Sequence, residues 1–171
     1  MNSTRLHSAT AIVYLCVISA APAQTISDKT ASDQVEMVSA DDPAMANAFR
    51  NARETLDTFL DRVIAKDKAI TMPSLKVRIV DGDAVEYFWI SPFRVTTSGL
   101  VGTIDNDPET VHNVRNHQEL TIKKSDVYDW SYVDRSTGKM IGNFTACAIL
   151  THQPPEEARA FKKQYGLNCQ T

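Results

Sequence analysis

The feature that most constrains the fold is a change of hydrophobic period partway along the chain. Between Met45 and Ile64, apolar residues recur every three or four positions, which is the spacing of one face of a helix. From Leu75 onward they alternate with polar residues, as in strands with one buried face. Because one helical segment precedes a run of strands, the sequence predicts an α+β domain.

The first helix is predicted to begin after Asp42. The sequence Asp41-Asp42-Pro43 supplies a capping carboxylate and a proline for the first helical position. The charged residues of this helix are expected to face water. The apolar stripe predicted to pack on the core comprises Met45, Phe49, Ala52, Leu56, Phe59, Leu60, Val63 and Ile64.

Six strands are predicted, and turn signals separate several of them. Asp81-Gly82-Asp83 predicts a hairpin, because Asp-Gly favours the positive φ angles of a tight loop. Ser98-Gly99 and Ser136-Thr137-Gly138 indicate two further turns. The last strand is apolar on both faces from Phe144 to Leu150, so it is predicted to be central in the sheet. The expected strands are 75–80, 85–90, 100–104, 120–122, 128–134 and 140–151.

A short helix is predicted near the C-terminus. Pro154-Pro155 opens it, Glu156 and Glu157 oppose the positive end of its dipole, and Gly166 can take the left-handed conformation that ends a helix. The predicted architecture is therefore a mostly antiparallel sheet of about six strands. A long N-terminal helix and a short C-terminal helix are expected to pack on it.

The N-terminus has the features of a secretory signal peptide. Arg5 gives the first segment a positive charge without any acid, and residues 11–21 are uncharged and mostly apolar. That run is shorter than the ~20 residues needed to span a bilayer. Ala21-Pro22-Ala23 fits a signal peptidase site, so Gln24 is the expected mature N-terminus. A buried N-terminal strand or helix is the alternative.

The predicted organisation is a signal peptide at residues 1–23, a flexible leader at 24–34 and a single α+β domain at 35–171. Cleavage removes one arginine and no acid, so the formal net charge changes from −3 to −4. Neither this balance nor a cluster of basic residues indicates binding to nucleic acid or to an anionic membrane. The predicted location is the periplasm or the medium, without stable membrane insertion after cleavage.

Two cysteines, Cys147 and Cys169, remain after cleavage. An even pair in an oxidising compartment predicts a disulfide between them. In the predicted last strand Cys147 shares a face with Ile149, so the C-terminal helix is expected to pack there and return Cys169 to Cys147. Two separate thiols and a nucleophilic cysteine are the alternatives, although an oxidised pair offers no thiolate for catalysis.

No common catalytic signature occurs in the sequence, neither a nucleophile elbow nor a phosphate-binding or dinucleotide-binding loop. His112 and His117 lie in a predicted loop without a third metal ligand, so neither a metal site nor a cofactor is predicted. Glu86 and Asp129 could act as acids if burial raised their pKa. Because no partner base is identifiable, a structural role in turns or strand pairing is the alternative for both carboxylates.

Aromatic residues alternate in two of the predicted strands. Tyr128, Trp130 and Tyr132 are expected on one face of their strand. Tyr87 and Trp89 are expected on one face of theirs. Such residues either fill a core or line a recognition surface. The candidate binding residues are Trp89, Trp130, Tyr132 and Asp129.

A set of motifs is spread in order along the chain, from about Val35 to Cys169. They are DDPAMANAFRNARETLDTFL, EYFWI, GTIDNDP, SDVYDWSYVD, GNFT and PPEEARAFKKQYGLNC. Together they resemble the YegJ-like family of bacterial domains of unknown function. One departure is Asn116-His117-Gln118, where the family often has a glycine-containing turn. The resemblance implies a bacterial origin, an exported or envelope setting for members with signal peptides, and no assigned activity.

The leading functional hypothesis is a non-enzymatic periplasmic module that binds or inhibits an envelope protein or ligand. It follows from a rigid sheet that carries aromatic residues and no catalytic constellation. One alternative is a small envelope hydrolase that uses buried acids such as Glu86 or Asp129, and another is a structural envelope component. An enzyme needs a concave site with converging titratable groups, whereas a partner-binding surface can be flat.

Overall fold

A computed structural model describes residues 42–169 of the chain. The predicted signal peptide, the predicted leader and residues 35–41 lie outside the described range. Within that range the protein is a six-stranded antiparallel sheet with three α-helices. The predicted α+β fold class is confirmed.

The longest helix comes first, the six strands follow it, and two shorter α-helices come last within the described residues. The helices are α1 (Pro43–Ile64), α2 (Phe144–Leu150) and α3 (Pro155–Gln164). The strands are β1 (Ile70–Asp81), β2 (Ala84–Thr96), β3 (Gly99–Ile104), β4 (Glu119–Ile122), β5 (Val127–Asp134) and β6 (Met140–Gly142). Their spatial order is β4-β3-β2-β1-β5-β6, so the β1–β2 hairpin forms the centre of the sheet.

Helix α1 begins as predicted. The Asp42 carboxylate accepts hydrogen bonds from the amides of Ala44 and Met45 at 2.9 and 3.0 Å, which satisfies two of the free N–H groups of the first turn. Ile64 departs from the prediction, because it is 59% exposed. It follows Val63, which faces the core, and is therefore rotated about 100° around the helix away from it. The buried stripe is Met45, Ala48, Ala52, Leu56, Phe59 and Leu60.

The core lies between α1 and one face of the sheet. Leu75 of β1 pairs with Ile90 of β2, and Ile90 pairs with Ile104 of β3, so three fully buried side chains lie in register under the helix. The predicted Asp-Gly hairpin is confirmed, since Asp81 pairs with Ala84 and Gly82 has a φ of 59°. The opposite face of the sheet carries the alternate residues of these strands.

The predicted long, central last strand is wrong. β6 ends at Gly142 and lies at the edge of the sheet, and residues 144–150 form α2. Gly142 and Asn143 have φ angles of 80° and 52°, which turn the chain out of the strand. A short apolar run that is buried on several sides looks the same in sequence whether it is a strand or a helix. Helix α2 contacts α1 through Ala148 and the C-terminal segment through Ala146 and Leu150.

The C-terminal segment forms the predicted helix, but its cysteines meet by a different route from the predicted one. Helix α3 starts at Pro155, and Gly166 has the expected left-handed backbone with a φ of 61°. Cys147 and Cys169 are joined in a disulfide that spans 22 residues of sequence. The expected route was wrong, because Cys147 lies on a helix and packs with the C-terminal cluster, whereas Ile149 packs toward α1. None of the helices within residues 42–169 is long and apolar enough to cross a membrane.

Candidate functional site

Two of the candidate aromatic residues belong to the core. Trp130 and Tyr132 of β5 are 6% and 7% exposed, and both rings stack parallel to Phe59 of α1. The indole N–H of Trp130 donates to the backbone oxygen of Ala52 at 3.1 Å, so its polar atom is also satisfied inside the molecule. Neither residue presents a surface on which a partner could pack.

Trp89 and Tyr87 lie on the other side of the sheet. Phe88 and Ile90 are fully buried toward α1, so the alternation of β2 turns Tyr87 and Trp89 to the opposite face, where both are partly exposed. The ammonium of Lys76 lies 5.7 Å from the Trp89 ring centroid and 5.9 Å from that of Tyr87. At these distances a cation is attracted to the face of an aromatic ring. Lys76 itself is only 4% exposed, so the accessible surface here belongs to the two rings. We call the surface formed by Tyr87 and Trp89 the Trp89 face.

Tyr128 connects the Trp89 face to α1. Its ring makes edge contacts with Tyr87 at 5.2 Å and with Phe49 of α1 at 5.0 Å. The guanidinium of Arg53 lies 5.1 Å from the Tyr128 ring. Tyr128 is the extra residue of a β-bulge, which re-aims its side chain away from regular alternation. The sequence pattern grouped it with Trp130 and Tyr132, because a bulge has no reliable signal in the hydrophobic period.

Asp129 is fully buried and caps α2 from a neighbouring strand. One carboxylate oxygen accepts from the amide and the hydroxyl of Thr145, both at 2.7 Å, and the other accepts from the amides of Trp130 and Phe144 at 2.8 and 3.2 Å. Asn143, at the N-cap position of α2, offers no side-chain hydrogen bond, so Asp129 takes over that role. Burial raises the pKa of Asp129, and the Thr145 hydrogen bonds and the charge of Lys76 partly offset this.

Glu86 is buried on the α1 side of the sheet and holds the loop between β3 and β4. Its carboxylate accepts from the consecutive amides of Glu109, Thr110 and Val111 at 3.0, 2.9 and 3.0 Å. These three N–H groups would otherwise be unsatisfied in a loop that packs on the core through Val111. Both carboxylates named in the hydrolase alternative therefore have structural hydrogen-bond partners in place of a reacting group.

The two loop histidines are exposed. His112 is placed by its amide, which donates to Asp81 at 2.8 Å. His117 has a left-handed backbone with a φ of 61°, the conformation for which glycine is best suited. Over residues 42–169, no group of three or more His, Cys, Asp or Glu side chains is placed to hold a metal ion.

A groove of about 240 Å³ lies where α1, α2 and the C-terminal segment meet. The disulfide forms part of its wall, and Asn47, Asn51 and Lys162 supply its polar rim. Asp129 and Glu86 do not line it. Sequence reasoning missed the groove because three separate segments build it, and the cysteine pair was the one signal that these segments meet.

Comparison with known proteins places the chain in a bacterial family. Residues 42–169 match the model of a family described as "Uncharacterized protein conserved in bacteria (DUF2314)". The chain is 36% identical over 118 residues to the uncharacterized protein YegJ of Escherichia coli (strain K12), an alignment that covers 69% of this chain and 74% of YegJ. No solved structure matches the chain significantly.

Proposed function

The chain belongs to the bacterial DUF2314 family, and we propose that it is an exported, non-enzymatic module that binds an envelope protein on the Trp89 face. Neither the family description nor the name of YegJ specifies an activity, so the argument rests on this chain's own residues. The proposal has three parts: the binding surface, the absence of catalysis and the export.

Trp89 is the observation that carries the proposal. Its ring is partly exposed on the sheet face opposite α1, while Trp130 is buried under the helix. Tryptophan combines a large apolar area with an N–H donor, and it is enriched among the residues that dominate binding energy at protein interfaces. Tyr87, also partly exposed, extends the same surface, while the ammonium of Lys76, a residue only 4% exposed, lies near both rings. This aromatic character suits an apolar or aromatic partner segment.

The positions of the buried acids favour binding over hydrolysis. A hydrolase needs an acid and a base that converge on a concave site. Asp129 and Glu86 instead lie on opposite faces of the sheet and accept hydrogen bonds from backbone amides. A sheet face with a partly exposed tryptophan is adequate for a protein partner, which needs no concave site of that kind.

Export is supported by the N-terminal sequence and by the cysteine pair. A positively charged start, an apolar run and Ala21-Pro22-Ala23 occur in the order that a signal peptide requires. Cys147 and Cys169 lie at bonding distance, and disulfides persist in the periplasm. Intact-mass analysis of protein recovered from the periplasm should find a chain that begins at Gln24, and non-reducing peptide mapping should find the bond. A chain that retains Met1 and stays in the cytosol would contradict export.

Binding is tested by comparing Trp89→Ala with the parent and with Val80→Ala. Val80 is the control for lost apolar surface, because it is exposed and lies on the same side of the sheet at the turn end of the hairpin, four residues along β1 from the residue that pairs with Trp89. The immobilised parent is exposed to envelope extract, retained proteins are identified by mass spectrometry, and the affinity of the purified partner is then measured for each variant. Trp89→Ala is expected to weaken the affinity about thirtyfold, the equivalent of about 2 kcal/mol, without a large change in melting temperature.

Two results would contradict this assignment of the surface. One is a Trp89→Ala variant that melts far below the parent, because Trp89 would then be a structural residue. The other is unchanged affinity of Trp89→Ala for the captured partner. A parent that retains no envelope protein would favour the structural-component alternative.

A further inference from the structure

The connection between α1 and β1 exposes apolar side chains in a way that regular packing does not require. Three large hydrophobic residues are well exposed within residues 42–169: Met72 at 75%, Ile64 at 59% and Val80 at 44%. Ile64 ends α1 and Met72 lies near the start of β1, so two of the three flank one short connection. We call residues 64–73 the Ile64–Met72 tip.

Met72 is held outward by the backbone. The pairing of β1 with β5 shifts register between Thr71 and Ser74, which marks a β-bulge at Met72 and Pro73. Met72 has a φ of 51°, in the left-handed region that residues other than glycine and asparagine rarely adopt. β-Bulges re-aim side chains, and unfavourable backbone conformations cluster at functional positions. The exposure of Met72 therefore accompanies a bulged, left-handed backbone.

Cations occur on the same connection and beside it. Lys66, Lys68 and Arg135 are exposed and line a shallow basin, together with Val63 and Pro73, the chain neighbours of Ile64 and Met72. Arg135 is fixed against the connection, because its Nε donates to the Lys68 carbonyl at 2.9 Å and its amide donates to the Ala69 carbonyl at 2.8 Å.

The basin carries a net positive charge. The acid that lines it, Asp67, is paired with Arg62 at 2.8 Å. Asp134, next to Arg135 in sequence, accepts hydrogen bonds from Ser136 and Thr137. A basic cluster was not visible in the sequence, since Arg135 is more than sixty residues from Lys68 and only the fold brings them together.

We propose that the Ile64–Met72 tip docks the protein on an anionic lipid surface. Apolar side chains that protrude beside lysine and arginine residues match the interfacial mode of membrane binding, in which the apolar groups enter the headgroup region and the cations attract anionic lipids. This proposal departs from the sequence-based expectation that no anionic membrane is bound. Docking of this kind is peripheral, and it needs no membrane-spanning helix.

The test uses protein recovered from the periplasm and flotation with lipid vesicles. Vesicles of phosphatidylcholine and phosphatidylglycerol in equal parts are compared with vesicles of phosphatidylcholine alone. The variants are Met72→Ser, the double variant Lys66→Gln with Lys68→Gln, and the control Val80→Ser, which removes the third exposed apolar side chain outside the tip. Melting temperatures are measured for all four proteins.

The parent is expected to float with the anionic vesicles and not with the neutral ones, and added salt should release it. Met72→Ser and the double lysine variant are each expected to weaken vesicle binding about tenfold or more, while Val80→Ser binds like the parent. Trp89→Ala should also bind vesicles like the parent, which separates this proposal from the partner surface on the sheet.

Three results would overturn the lipid assignment. The first is a parent that fails to float with anionic vesicles. The second is an equal loss of binding in Val80→Ser and Met72→Ser. The third is that neither the parent nor any variant binds lipid, while the parent retains an envelope protein from an extract and the tip variants do not. The tip would then contact a protein.

Discussion

At the scale of single residues, two buried carboxylates accept hydrogen bonds from backbone amides that have no backbone acceptor in regular structure. Asp129 satisfies the first amides of α2, and Glu86 satisfies three consecutive amides of the β3–β4 loop. Each lies at a point where regular structure is interrupted and free N–H groups would otherwise be buried. Their burial was considered from the sequence as a route to catalysis, and the geometry gives them the structural role.

Asp129→Asn tests this role through stability and its pH dependence. Replacing one carboxyl oxygen by an amide nitrogen opposite three amides and a hydroxyl is expected to lower the free energy of unfolding by about 1–3 kcal/mol. Because burial raises the pKa of Asp129 in the folded protein, the folded state favours the protonated carboxyl. Its contribution to stability is therefore greatest below the unfolded value of 3.8 and is lost as pH rises through the raised folded pKa.

Denaturant titrations at a series of pH values make the measurement. The other acids titrate in both proteins, so the difference between Asp129→Asn and the parent isolates Asp129. The difference in stability is expected to narrow as pH rises above 3.8. A difference that widens with pH would mean that the hydrogen-bond donors outweigh burial and lower the pKa.

His117 offers a prediction of the opposite sign. Its φ of 61° is unfavourable for a residue with a side chain, and its amide is held by the Ile104 carbonyl at 3.0 Å, so the turn cannot relax without losing this bond. His117→Gly is expected to raise the free energy of unfolding by up to about 1 kcal/mol. His112→Gly, in the same loop without a positive φ, is the control and should be neutral or destabilising. Destabilisation by His117→Gly would show that its side chain makes compensating contacts.

At the scale of elements, local signals predicted those elements whose ends are marked in the sequence. Helix α1 has Asp42 and Pro43 at its start, the β1–β2 hairpin has Asp-Gly, and α3 lies between Pro155 and Gly166. Helix α2 has no such marks, because its capping carboxylate comes from β5 and its apolar faces are covered by α1 and the C-terminal segment. Its identity depends on contacts between distant residues, which a hydrophobic pattern does not contain.

The switch from β6 to α2 depends on Gly142. A Cβ atom at this position would lie 2.2 Å from the backbone oxygen of Trp130, and the φ of 80° is also unfavourable for alanine. Gly142→Ala is therefore expected to lower the free energy of unfolding by about 3 kcal/mol or more. Gly138 is the matched control, because it has a φ of 66° and no atom within 4 Å of the added Cβ. Gly138→Ala should cost only about 1 kcal/mol, and equal losses in denaturant titrations would contradict the steric argument.

At the scale of the whole molecule, one face of the sheet is covered by α1 and the other carries the Trp89 face. Alternation correctly separated Phe88 from Trp89, but it could not say which of the aromatic faces the helix would cover. The Ile64–Met72 tip and the groove beside the disulfide were beyond prediction for a related reason. Each is built from segments far apart in sequence, such as Lys68 with Arg135.

Within residues 42–169 the buried residues form one large cluster and two small ones, and the disulfide packs against one of the small clusters. The main core joins α1 to the strands, whereas the C-terminal cluster has only four buried residues. Closing the 22-residue segment between Cys147 and Cys169 should stabilise the fold by about 3 kcal/mol, since it restricts the unfolded chain. The double variant Cys147→Ser with Cys169→Ser is expected to lose that amount in denaturant titrations. The four buried residues of the C-terminal cluster are Ala146, Leu150, Ala158 and Leu167.

Hydrogen exchange measures which elements lose protection when the disulfide is absent. Without the bond, α3 has few buried contacts to hold it, so its amides should lose protection at lower denaturant than those of β1 and β2, which lie at the centre of the sheet. The reduced parent serves as the control, because it lacks the bond and keeps both cysteine side chains, and it should match the double variant. Loss of protection in α3, β1 and β2 together would contradict a separable C-terminal part, and unchanged stability of the double variant would show that the bond does not constrain the unfolded chain.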